Sequence, residues 1–331
     1  MRITDYSVLF VIIMFPFFWV YSLHGTDDLM VMRLEQKYNQ SIQTAVQDAS
    51  QMMHQNEDPS LEASYDSVKL LKVDKDLLLD RFMQTISINF GLENDLPAQQ
   101  AFLTYLPALV VIDYDGFYLY RSTAYTDISG NEAEKHLWTE KKLYVYEDDD
   151  GNLFRFTLDD YVHVYAQGTN QWIEGYRNEL QWLTSVPLLQ DAEGFENVRR
   201  QVIVSSIQDH LASAITYHND HVLRNGNVYQ FTFPTIRQEE WYNTIDDVGV
   251  MAFIQGIPVG DQYYNNYAFG SGRLVKKDVI IGAIDESTGS KYYYKSGCEF
   301  PYRPVERFNN AREAAASGYY ERTCYEGQGS F

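Results

Sequence analysis

From Ser7 to Leu23 the chain reads SVLFVIIMFPFFWVYSL, seventeen residues without a charge. At about 1.5 Å per residue, a helix of that length stands at the short end of what crosses a bilayer. Trp19 and Tyr21 lie toward its end, where amphipathic rings favour the headgroup layer. A cleaved signal peptide is the rival reading. Against it, the preceding residues offer Arg2 as their one basic side chain, they carry the acidic Asp5, and no A-x-A-like site follows the apolar run. Residues 7–23 are therefore expected to remain as a single transmembrane helix. Arg2 before the span and Asp27 and Asp28 after it place residues 1–6 in the cytoplasm and the rest of the chain outside the cell membrane.

The next stretch, residues 27–55, has the period of an amphipathic helix. Val31, Tyr38, Ala45 and Met52 recur every seven residues, and Leu34, Ile42 and Ala49 widen the stripe. Thr26 or Asp27 can cap it. If Gly25 leaves it unbroken, span and helix form one rod of about fifty residues, ~75 Å long; the alternative is a separate helix lying against the body.

Residues 56–67 are polar, with Pro59, and read as a linker to a body spanning 68–331. A helix is expected over 74–90, stopped by Gly91, and a shorter one over 98–105. Then the period changes. ALVVIDYDGFYLYRS, residues 108–122, flanks Asp115-Gly116 with β-branched and aromatic residues, which predicts a hairpin; residues 142–158 repeat the arrangement around Asp148-Asp149-Asp150-Gly151. Tyr161–Ala166 alternates like an edge strand, and Pro187 interrupts an ambiguous stretch over 180–190. A long helix is expected over 192–223, ended by Asn225-Gly226. Beyond it, 228–233, 248–254, 273–284 and 291–294 read as strands and 307–316 as a last helix. The order predicts an α+β body in which an antiparallel sheet carries a long packed helix, with a subdivision near residue 190 left open.

Charge narrows the partners. Against 26 Lys and Arg stand 46 Asp and Glu, a net charge of −20, which repels nucleic acid phosphates, so no nucleic-acid role is expected. The 27 tyrosines combine apolar area with a polar tip, a composition suited to exposed interaction surfaces. Cys298 and Cys324 are compatible with one disulfide in an exported chain, closing a loop of about 25 residues and worth ~3 kcal/mol; two unpaired thiols are the alternative.

Catalytic signatures are weak. The acidic turn at 148–151 does not match the EF-hand spacing and reads as a solvated hairpin tip. His210, His218 and His221 share the long helix without an H-E-x-x-H arrangement. His163 has no nucleophile-elbow serine to assist, and Ser271 lies in a Gly-rich turn, within a stretch (268–277) that lacks phosphate-loop spacing. The expectation is a chain that is not an enzyme and needs no metal or cofactor.

The plan of short N-terminus, apolar span, continuing amphipathic helix and exported α+β body resembles the TadE-like minor pilins and pseudopilins of Tad (Flp) pilus and type II secretion-like systems of Gram-positive bacteria. MRITDYS puts Asp5 at the fifth position, where mature pilins have an acidic residue, and Pro16 interrupts the span as pilin helices are often interrupted; YNQSIQTAVQDASQMM, residues 38–53, is similar to the small-residue-rich helix that follows. No basic leader ending in Gly precedes the span, so the resemblance implies an unprocessed, membrane-anchored structural or assembly component. Its partners would be other subunits of a pilus or secretion assembly, or further copies of itself. Asp5, Val31, Tyr38, Ala45, Ala49 and Met52 are the helix-association residues it implies, small Ala45 and Ala49 admitting a second helix closely. VVIDYDGFYLYRS is also similar to the central hairpin of Cache or PAS-like domains, which implies the alternative of an extracytoplasmic ligand-sensing module that signals through a partner.

Overall fold

The computed structural model describes residues 3–53, 73–126, 128–130, 132–224, 229–260, 262–272, 280–295, 298, 300–308 and 311–323. The expected linker at 56–67 lies outside them.

Gly25 does not break the first helix: α1 runs without interruption over Ile3–Met52. The next helix, α2 (Lys75–Phe90), has the two ends that its sequence announces. Asp74 accepts hydrogen bonds from the amides of Asp76 and Leu77, and Gly91 turns left-handed at φ 72°. A short α3 (Leu96–Phe102) leads into the sheet.

Nine strands form one antiparallel sheet. In chain order they are β1 (Ala108–Asp113), β2 (Gly116–Thr126), β3 (Glu132–Trp138), β4 (Lys142–Glu147), β5 (Leu153–Phe156), β6 (Tyr161–Ala166), β7 (Gln171–Tyr176), β8 (Gly249–Val259) and β9 (Gln262–Ser271). Their spatial order is β7-β6-β5-β4-β2-β1-β8-β9, with β3 also paired to β2. Two one-turn helices, α4 (Arg177–Leu180) and α5 (Pro187–Gln190), lead to the long α6 (Ala192–Arg224), and α7 (Gln238–Thr244) precedes β8. Because β1 pairs with both β2 and β8, strands from either side of residue 190 share one sheet and one core.

Adjacent residues of a strand point to opposite faces, and β9 shows which helices occupy each. Gly270 lies against Val46 of α1, whereas Phe269 meets Trp241 of α7 edge-on at 5.7 Å. On the same side as α7, His210 of α6 packs against Phe117 of β2 at 5.4 Å. Helices α1 and α2 thus cover one face of the β2-β1-β8-β9 half and α6 and α7 the other.

A smaller sheet of β10 (Ile280–Ile284), β11 (Lys291–Lys295), β12 (Arg303–Phe308) and β13 (Tyr320–Glu321), in the order β12-β10-β11-β13, packs with α8 (Ala311–Ala316). Arg307 joins it to the main body by pairing with Glu179 and stacking 4.9 Å over Tyr176.

Several expectations are corrected. Tyr229–Phe233 is not a strand, because side-chain amides take the place of a ladder. Asn219 accepts from the Phe231 amide (2.6 Å) and donates to its carbonyl (2.8 Å), while Gln255 does the same for Thr232 (3.0 and 2.7 Å). Tyr161–Ala166 is an interior strand, with β7 forming the edge beyond it. The helix expected from 307 begins at Ala311, since Arg307 and Phe308 still pair with β10. Residues 273–279 of the strand expected over 273–284 lie outside the described residues.

Candidate interaction site

The amphipathic stripe of α1 is real, and its partner is the chain's own body. Tyr38 stacks on Phe90 of α2 with ring centres 5.0 Å apart and meets Tyr264 of β9 edge-on at 5.3 Å. Ile42, Ala45, Val46 and Ala49 are fully buried. Two glycines let the sheet come this close, since a Cβ on Gly270 or Gly272 would stand 2.8 Å from Val46 or Met53. Polar contacts flank the seam: Thr85 donates to Asp48 (2.8 Å) and Tyr264 to Asn39 (2.6 Å).

Of the expected association residues, Val31, Tyr38, Ala45 and Ala49 therefore pack within the chain, and Val31 marks where the body begins, in contact with the β8–β9 turn at Gly260. Ala45 and Ala49 do admit a close neighbour, but that neighbour is internal. Met52 is half-buried beside α2 in an open groove with Leu77, Arg81, Gln84 and Ile88. The side chain of Asp5 lies outside the described residues.

N-terminal to Val31 the helix leaves the body. From Ile3 to Met30 it extends ~40 Å at helical rise. Among its described side chains Phe10, Phe15, Leu29 and Met30 are all more than half exposed, as is Met32 just beyond. Among the described residues no helix is long and apolar enough to cross a membrane; most side chains of the apolar run 7–23 lie outside that description.

The strongest titratable cluster sits at the tip of the β1–β2 hairpin. Lys141 lies 2.9 Å from the fully buried Asp113 and closes a second ion pair with Asp115. Burial, helped by Asp115, raises the carboxyl of Asp113 above its usual range despite the pull of Lys141. Burial works against the Lys141 ammonium, yet the two carboxylates hold it above its ordinary value. Tyr144 donates to the Gly116 carbonyl (2.9 Å) beneath them. The turn residues are Tyr114 and Asp115, neither with positive φ, because Asp113 pairs directly with Gly116. Glycine is required at 116 for another reason: a Cβ there would run into the carbonyl of Lys142. Asp113 is sealed from solvent, and the triad ties the β1–β2 hairpin tip to the residue that leads into β4.

The remaining candidates also make contacts within the chain. Asp148 accepts from the amides of Asp150 (3.1 Å) and Asn152 (2.8 Å), so the acidic turn folds onto its own backbone. His210 bonds the Ser206 carbonyl (2.9 Å) and His218 that of Thr104 (2.9 Å); the side chain of His221 lies outside the described residues. His163 pairs with Glu174 at 2.9 Å, and burial lowers its pKa although Glu174 pulls the other way. Ser271 ends β9. No group of three or more His, Cys, Asp or Glu side chains that could hold a metal occurs among the described residues. Cys298 is buried and disulfide-bonded; Cys324 lies outside the described residues.

One surface escaped the sequence reading. Helices α1 and α2 cover half of their face of the sheet, and β4–β7 leave the other half open, with Val145, Arg155, Trp172 and Glu174 exposed and Arg155 stacked 4.7 Å over Trp172. The alternation of β5–β7 was the available signal, but without β7 in the reading nothing showed that these residues share a face.

No family model matches the chain, and no curated protein or solved structure matches it.

Proposed function

We propose that the chain is a membrane-anchored, pilin-like structural or assembly component of an envelope pilus or secretion apparatus, of the TadE-like kind. Residues 7–23 cross the cell membrane once, the N-terminus is cytoplasmic, and the α+β body is displayed outside. The observation that carries this reading is the division of one unbroken helix: its first half leaves the body with exposed apolar side chains, and its second half is built into the sheet. A jointless helix fixed at one end in a packed core holds the body at a set height and orientation over whatever the other end is embedded in. The body then serves as an interaction module, its acidic charge keeping copies soluble outside the membrane.

Flotation with membranes, combined with protease treatment of intact cells, tests the proposal. The full chain should float and resist alkaline extraction, and external protease should remove the body while leaving a fragment that contains residues 7–23. A chain released by alkali, or protected from external protease, would falsify it.

A further inference from the structure

The face of α1 turned away from the body carries an unusual surface. Gln36, Gln40, Gln43, Gln47 and Gln51, five glutamines in sixteen residues, are all exposed. At 100° per residue they fall within an arc of about 80°, roughly opposite the buried Ile42, Ala45, Val46 and Ala49. Gln43 reaches back to the Phe269 carbonyl at 3.5 Å. On α2, by contrast, exposed Asp76, Asp80 and Arg81 carry charge beside the neutral Gln84 and Ile88. On α1, Lys37 and Asp48 lie to the side of the stripe and no charge interrupts it between Gln36 and Gln51.

We infer that this stripe is the contact between α1 helices of two copies of the chain, packed in parallel. The inference rests on the proposed membrane anchor and names its partner. Two features of the surface select a second copy. A primary amide both donates and accepts, so a glutamine row is complementary to an identical row, as an acidic or basic row is not. A chain of charge −20 repels its own kind over most of its surface, and this neutral stripe is a face on which two copies meet without stacking carboxylates. Anchoring in one membrane makes the helices parallel, and a parallel two-fold pair sets each glutamine opposite its own counterpart. Interhelical amide hydrogen bonds are individually weak, so the pair depends on the high effective concentration that a shared membrane supplies.

The test uses the purified full-length chain in phosphatidylcholine vesicles, carrying Gln47→Cys or, on the open sheet face, Val145→Cys, treated with a short bifunctional maleimide; the wild-type chain gives the background. Gln47→Cys should yield cross-linked dimer at least tenfold above Val145→Cys, and adding Gln40→Glu and Gln43→Glu should remove at least nine-tenths of it. Equal cross-linking at both positions, none at Gln47→Cys, or a yield unchanged by the glutamates overturns the inference. Flotation of the same samples reports the anchor separately: floating chains that do not cross-link defeat the pairing alone, and chains that do not float defeat the anchor.

Discussion

Gly270 lies directly against Val46, so close that a methyl group on the glycine would stand 2.8 Å from both the Val46 side chain and its backbone carbonyl. The long helix and the sheet edge are joined at that point backbone to backbone.

Replacing Gly270 by Ala therefore has no soft neighbour to push aside. Overpacking a tight core contact costs about 1–3 kcal/mol. Chemical denaturation should show Gly270→Ala less stable by that order, with Gly91→Ala as a contrast in which left-handed strain without a clash is the sole penalty.

Removing Lys141 leaves two carboxylates in the hairpin tip without their counter-charge. Breaking a buried pair from one side costs about 3–5 kcal/mol, and Lys141→Met should lose that much at neutral pH. The sign with pH follows from Asp113: burial already raises its folded pKa, so the native state takes up a proton more readily than the unfolded chain does. Part of the loss should be recovered as the pH falls toward about 4. A deficit that stays constant from pH 7 to 4 counts against the assignment.

His163 works in the opposite sense. Its folded pKa is lowered, so above about 6.5 the ring is neutral in both states and costs nothing; as the pH falls below that value the unfolded chain is protonated first and stability declines. Its partial exposure keeps the effect small. His163→Gln should flatten the slope of stability against pH over that window, and an unchanged slope would rule the residue out as its source.

Asn219 and Gln255 each replace a strand partner for the backbone at Phe231 and Thr232. Leaving a backbone group unsatisfied costs about 1–3 kcal/mol, so Asn219→Ala and Gln255→Ala should each destabilise by that order. Amide exchange at Phe231 should accelerate in the first variant and at Thr232 in the second.

Much of this fold was legible because its signals are local. Asp74 and Gly91 bound α2, the seven-residue stripe marked the buried face of α1, and the hydrophobic period of α6 gave its length to within a residue. The failures have a common cause, since each concerns something supplied by a distant residue. Glu132–Trp138 has a helix-favouring composition and becomes β3 because β2 pairs with it. Tyr229–Phe233 has a strand's composition, yet two amides from elsewhere satisfy its backbone. Gly116 was read as a turn residue and is needed for the approach of β4. The α1 stripe was expected to meet another chain, and no periodicity states whether an apolar face will be covered from within or from outside.

Because Gly25 leaves α1 without a joint, the number of residues between Leu23 and Val31 becomes a setting of azimuth. One inserted residue would swing the body about 100° around the helix axis and raise it ~1.5 Å, whereas seven would return it to within about 20° of its original bearing, ~10 Å higher. Rotational phase, more than reach, is what that short stretch encodes.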